Sequence, residues 1–430
     1  MNGRLGEFLR SAFSSLEVHN YRLYFFGQGI SLVGTWMQTT AQSWLVYSLT
    51  HSATDLGLVV ALQTLPVLVL APYGGVVADR ADKRNLMIIL QSLMGVQALV
   101  LGILAVLGAV TFGEVCLLAV VLGLNNTFEF PARQAFVQEM VGRRQVRNAV
   151  TLNAVSNNAA RAIGPAVAGV LIATVGDGIC FLANAASFVA VVVSLAVMDT
   201  KALEKVPPVP RVRGQLSQGI AYAASVKEIA VPLFMMGLVG TLAYEFQVSL
   251  PALAGSTFHG GSEAYGFMTA SMGAGAVGGG LWRAAKGKTG IRAMVVSSSL
   301  FGLAILASGL APDLIASCVA LVAVGWGSVS FISIGNSTLQ LAAEPQMRGR
   351  VLALWQVAFQ GTTPIGGPLV GWVISETDPR GGLVVGAASC LLAALGGGAL
   401  AARMRSSQEV VPPRSGDRGA GDADEAVLAS

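Results

Sequence analysis

Apolar residues run through this chain in blocks of about twenty, separated by short polar segments, and about twenty is the length a helix needs to cross a bilayer. The blocks predict spans at about 22–49, 55–78, 86–109, 114–132, 148–174 and 178–198. After a polar interval, further spans follow at about 229–252, 263–283, 292–311, 313–340, 351–375 and 381–402. Lys201 to Gln215 carries Pro207, Pro208 and Pro210 and breaks the apolar pattern as a linker does. Leu216 to Lys227 is amphipathic and suits the membrane surface. The tail after Arg405 is rich in Gly, Asp, Arg and Pro and reads as disordered. The pattern predicts an all-α polytopic membrane protein of twelve transmembrane helices, with one bundle over residues 1–200, a linker over 201–228, a second bundle over 229–405 and a tail over 406–430.

A gap-free shift of 203 residues pairs Gly75 with Gly278, Arg80 with Arg283 and Lys83 with Lys286. It also pairs Arg147 with Arg350, Gly164 with Gly367, Pro165 with Pro368 and Val167 with Val370. Such an internal repeat predicts two parallel, pseudo-symmetric six-helix halves.

Charge adds orientation. Only 12% of the 430 residues are charged and 53% are hydrophobic, with mean hydropathy +0.65, whereas a soluble domain carries roughly 25% charged residues. Of 27 Lys and Arg, all but Arg161 and Arg380 fall on the N-terminal segment, on every second loop or on the C-terminal tail. Lys and Arg mark the cytoplasmic face, so both termini and the linker are expected inside a cytoplasmic (inner) membrane. The basic pI near 9.0 therefore reflects topology and implies no nucleic-acid partner. Met1 to Asn20 has no hydrophobic core of the signal-peptide kind, so none is expected. The four cysteines lie in four separate apolar blocks without metal-ligand spacing and read as packing residues. Neither a nucleophile–base pair nor a nucleotide-binding G-x-x-x-x-G-K-[ST] loop occurs. This argues against an enzyme, a cofactor and ATP-driven transport.

Gly74 to Arg84 reads GGVVADRADKR, between the second and third blocks. Small Gly74, Gly75 and Ala78 allow close helix approach. Asp79 would sit where the helix leaves the lipid and could cap a neighbouring helix; the plainer reading is a basic loop. Gly75, Asp79, Arg80, Lys83 and Arg84 match G-x-x-x-D-R-x-x-[RK]-[RK], and the stretch resembles the signature of the major facilitator superfamily. Asp82 stands where that family prefers a small residue, and Trp282 replaces Asp79 in the second copy. The resemblance implies a latch between the halves, with Asp79 bonding near the start of span eleven in the outward-open state and Arg133 as an ionic partner.

Arg161 sits mid-span, about 20 Å of helix beyond Asn148, where a charge costs roughly 2.5–3.5 kcal/mol and marks a functional site unless neighbouring amides hold it structurally. Asn153, Asn157 and Arg161 are four apart and share one helical face, as residues lining a substrate path would. Gly164, Pro165 and Gly169 recur in span eleven as Gly367, Pro368 and Gly371, residues that bend helices and let them touch. This resembles the span-five motif of drug/proton antiporters, with Ala160 and Ala168 in place of glycines. PARQAF at 131–136, NAVTL at 148–152, NAAR at 158–161 and RGR at 348–350 resemble the superfamily branch that holds the enterobactin exporter and related efflux proteins. The fourth span lacks the arginine typical of drug/proton antiporters.

Glu245 lies in span seven, where a desolvated carboxylate could load and release a proton near neutral pH; a hydrogen-bonded structural acid is the alternative. Glu129 reads as an interfacial partner of Arg133, four residues on, or as the proton carrier instead. Gln28, Gln38 and Gln42 with Trp36 and Trp44 form a polar, aromatic face suited to a large organic substrate, although aromatics at span ends also serve as interface anchors. The leading reading is a monomeric secondary-active exporter of amphipathic organic molecules, a drug or siderophore-like metabolite, driven by proton antiport. A lysophospholipid flippase and a transporter-shaped ligand sensor are the alternatives.

Overall fold

The structure is a computed structural model describing residues 13–204, 215–287, 289–344 and 346–409. Among these residues every regular element is a helix. The first half comprises α1 (His19–Thr50), α2 (Ala53–Arg80), α3 (Lys83–Val106), α4 (Phe112–Gly142), α5 (Arg144–Val175) and α6 (Asp177–Ala196). A short α7 (Gln215–Ser225) leads into the second half. There α8 (Lys227–Leu242) and α9 (Phe246–Ala252) are followed by α10 (Ser262–Lys286), α11 (Ile291–Gly309) and α12 (Leu314–Ala342). The chain closes with α13 (Arg348–Gln360), α14 (Thr363–Glu376) and α15 (Pro379–Glu409). Among the described residues nine helical stretches are long and apolar enough to span a membrane; α1, α10 and the broken α13–α14 stretch fall outside that set.

Side-chain caps set several helix starts. Ser52 Oγ accepts from Asp55 N at 3.2 Å, and Thr111 and Glu114 form a reciprocal capping box at the start of α4, each satisfying backbone donors a helix leaves open. In the loop after α2 the carboxylate that caps is Asp82, whose Oδ1 accepts from Asn85 N at 2.9 Å at the start of α3. The residue that departs from the family's small-residue preference thus acquires a local role.

Two expected boundaries moved. The fourth span, expected to end near 132, continues through Pro131 to Gly142, which turns the chain at φ 65°. Glycine occupies that conformation without Cβ strain. Span eleven, expected to be continuous, breaks at Gly361–Thr362 before Pro364, which has no N–H to give a continuing helix. Within the expected linker, residues 205–214 lie outside the described residues, and so do residues 410–430 of the expected tail.

The halves meet chiefly through two helix pairs, α5 with α10 and α2 with α14, and α9 adds contacts to α1 and α2. The two pairs are related by the same 203-residue offset that relates the sequences. A Cβ on Gly169 would come within 2.7 Å of Gly266 Cα, and one on Gly371 would collide with the Ala53 carbonyl. Thr54 Oγ1 and Ser375 Oγ are 2.9 Å apart. An apolar cluster containing Tyr47, Leu56 and Val60 of the first half takes in Val248, Ala252, Val370 and Ile374 of the second. Toward the opposite end, the cluster around Tyr21, Met87, Phe136 and Leu195 contains first-half residues alone. The halves are therefore sealed together at the end bearing loops 51–52 and 259–261.

Candidate functional site

A cavity of about 700 Å³, its mouth included, lies between the halves. Trp36, Thr39 and Thr40 of α1 and Arg161 and Pro165 of α5 form the first-half wall. Tyr244, Phe246 and Gln247, Tyr265 and Thr269, and Ser328 form the facing wall. The Arg161 guanidinium lies 4.6 Å from the Trp36 ring centroid, and Trp36 Nε1 donates to Asn157 Oδ1 at 3.2 Å. Gly164 brings α5 against α1 here, since a Cβ would meet Trp36 Cβ at 2.6 Å. Among the described residues no carboxylate makes an ion pair with Arg161. The cation rests on a π face and is otherwise turned to the cavity.

Tyr244 is held by its hydroxyl, which donates to the Ser328 carbonyl at 3.0 Å, and by the Phe359 ring at 5.0 Å, edge to face. Tyr265 stacks on Trp44 across the halves with centroids 6.3 Å apart, closing the sealed end above the cavity. The arrangement can receive a molecule with an anionic group at Arg161 and apolar or aromatic parts along the facing wall. It offers no cluster of three metal-ligating side chains among the described residues.

The sequence candidates separate in space. Arg161 and Pro165 line the cavity and Asn157 supports it. Gln42 lines a small adjoining cavity that shares Thr39 and Gln247 with the first. Gln38, read as a cavity residue, turns the other way. Its Nε2 donates to Gln97 Oε1 at 3.1 Å and its Oε1 accepts from Asn184 Nδ2 at 2.6 Å, tying α1 to α3 and α6. A glutamine in lipid needs partners, and neighbouring helices supplied them. Asn153 likewise accepts from Tyr21 Oη at 3.0 Å within the first half.

Glu129 pairs with Arg133 at 3.3 Å and accepts from Gln91 Nε2 at 3.3 Å. Arg133, expected as a latch partner of Asp79, is thus engaged by its own helix. Lys83 pairs with Glu139 at 2.8 Å, and Arg84 donates to the Leu195 and Ala196 carbonyls that end α6. Gly75, Asp79 and Arg80 lie at the end of α2, with Asp79 and Arg80 exposed. Glu245 is 4% exposed and falls at the break between α8 and α9. It does not line the cavity but faces α14, where a Cβ on Gly366 would meet its Oε1 at 2.8 Å. Among the described residues Glu245 Oε1 has no hydrogen-bond partner. Gly367, Pro368 and Gly371 continue that helix onto α2, where Gly57 meets Gly367 and Gly371 meets Ala53.

Tyr244, Phe246, Tyr265, Thr269 and Ser328 were not singled out by the sequence. The one signal available was the AYEFQ interruption around Glu245, where the notable residue was the charge and the cavity took its two aromatic neighbours.

The description "transmembrane secretion effector" belongs to the family model matching residues 10–415. The staphyloferrin A transporter of Staphylococcus aureus is 28% identical over 245 residues, 56% of this chain and 62% of that protein, so the match spans less than two thirds of its length. The enterobactin exporter EntS of Shigella boydii is 27% identical over 374 residues, 85% of this chain and 88% of the exporter. Among solved structures, the nucleoside transporter NupG superposes with a TM-score of 0.66 at 14% identity, covering 89% of this chain and 99% of that one. A POT family transporter superposes with a TM-score of 0.69 at 12% identity, covering 91% and 96%. The chain belongs to the transmembrane secretion effector family of the major facilitator superfamily and is a multi-pass membrane transporter rather than an enzyme.

Proposed function

We propose that this transporter exports acidic, amphipathic, siderophore-like molecules by alternating access, driven by proton antiport. The observation that carries the reading is the Arg161 guanidinium, laid on the Trp36 ring and presented to an aromatic cavity between the halves. Two relatives named above are a staphyloferrin A transporter and an enterobactin exporter. Siderophores are oxygen-rich chelators whose carboxylate or catecholate groups match a planar guanidinium, and the aromatic wall accepts their less polar parts.

Glu245 is the proposed proton carrier. It is buried against Gly366, on the helix that joins the halves at Gly367 and Gly371, so a change in its charge bears directly on that joint. Gln42 and Asn157 complete the polar edge of the path, while Gln38, Asn153 and Glu129 hold the first half together. With Lys and Arg marking the cytoplasm, the sealed end is external and the protein is caught inward-facing. The Gly75–Arg84 loop then acts as the latch in the opposite state. The working unit is a monomer.

The test is transport into inverted membrane vesicles under an imposed pH gradient, with a panel of dyes, siderophores and lysolipids. Siderophores should accumulate, and a protonophore should abolish the accumulation. Arg161→Lys keeps the charge but loses the planar fork, so it should impair transport nearly as much as Arg161→Ala, with both proteins still in the membrane. Movement of lysolipids alone would favour a flippase. Near-normal transport by Arg161→Lys, with lost expression of Arg161→Ala, would leave the arginine as architecture.

A further inference from the structure

A second cavity, of about 1010 Å³ with its open side included, lies away from the central one, among α10, α11 and α12. α11 packs on α8, α12 and α15, all in the second half, so the cavity belongs to the outer surface of that half. Its composition is graded along α11. Arg283 and Arg292 stand at the loop between α10 and α11, the end at which the apolar stretch of α11 begins. Val296 and Leu300 lie deeper, with Trp326 beside them; Arg292 to Leu300 is about 12 Å of helix. Val296 is 58% and Leu300 47% exposed. Two hydroxyls also line the cavity, Ser297 at 4% and Ser330 at 2% exposure, and among the described residues neither Oγ has a hydrogen-bond partner. Buried polar atoms of this kind are ordinarily satisfied. A purely hydrocarbon occupant would leave them unsatisfied.

We propose that this groove binds one anionic phospholipid. The phosphodiester charge meets Arg283 and Arg292, ester oxygens reach the hydroxyls of Ser297 and Ser330, and an acyl chain lies along Val296 and Leu300. Charge complementarity at the loop end, two unsatisfied hydroxyls below it and open apolar surface beyond them follow the order of groups along such a lipid. A soluble anion would use the first of these features alone. The site is separate from the central cavity, and its occupancy does not depend on what the transporter carries.

The experiment is native mass spectrometry of the intact, delipidated protein titrated with phosphatidylglycerol or phosphatidylcholine. The wild type should retain one phosphatidylglycerol at least tenfold more tightly than phosphatidylcholine. Arg283→Gln with Arg292→Gln should weaken phosphatidylglycerol roughly thirtyfold, at about fivefold per basic residue near an anionic surface. Arg144→Gln with Arg147→Gln removes the same charge from the first half and should change retention less than twofold. Ser297→Leu keeps both arginines, fills the groove and should also release the lipid, which covers the case in which the arginine pair fails to fold. Wild-type retention in either groove variant, equal loss in the first-half control, or equal binding of both lipids would overturn the proposal.

Discussion

At Arg161 the cost of a guanidinium in the bilayer is met by a ring and an open cavity, and among the described residues no carboxylate pairs with it. Glu245 is the converse case, a buried acid whose Oε1 meets no donor among the described residues. Its charged form is therefore poorly solvated, whereas Glu129 is held by Arg133 and Gln91. Glu245→Gln should abolish transport driven by a pH gradient while leaving exchange of cargo across the membrane. Glu129→Gln should instead lower thermal stability by about 1–3 kcal/mol, the scale of a lost charged hydrogen bond, with pH dependence unchanged. The swapped pattern, read by vesicle transport and thermal melts of both variants, would exchange the two roles. Arg161 was legible in the sequence because a mid-span charge has few tolerable settings. Gln38 was not, because a polar side chain on a membrane helix can face a cavity or another helix. Only the positions of Gln97 and Asn184 decide between them.

The glycine–proline helices α5 and α14 carry the contacts that hold the halves together. Their role as packing elements was readable from the paired motifs at a fixed offset. Their partners were not, since no local pattern names Gly266 as the residue Gly169 touches. The extension of α4 escaped detection because Pro131 and the polar residues after it have the composition of a loop. In the structure those polar residues are used instead, with Arg133 bonded to Glu129 and Glu139 to Lys83. Gly169→Leu should wedge α5 from α10 and favour the state open at that end. Transport should fall at least tenfold with expression retained, and a cysteine at Thr40 should become reactive from outside. Unchanged transport and labelling would remove the contact from the mechanism.

For the whole molecule, an all-helical membrane fold and the pairing of its two parts at a fixed offset were visible from apolar blocks, basic loops and the internal repeat. The sealed state was not, because a single sequence serves every conformation a transporter adopts. Cysteines at Ser52 and Arg380 should react from outside, and cysteines at Asp82 and Pro208 only from inside; reversed labelling would invert the topology. Release of cargo through the sealed end requires the halves to part there, and a clamp across that end should prevent it. Thr54 and Ser375 touch across that end at 2.9 Å, so Thr54→Cys with Ser375→Cys, in a protein lacking Cys116, Cys180, Cys318 and Cys390, supplies such a clamp. Oxidation should link the halves within one chain and stop transport, and reductant should restore it. Undiminished transport by fully cross-linked protein would mean that cargo leaves without any opening at that end.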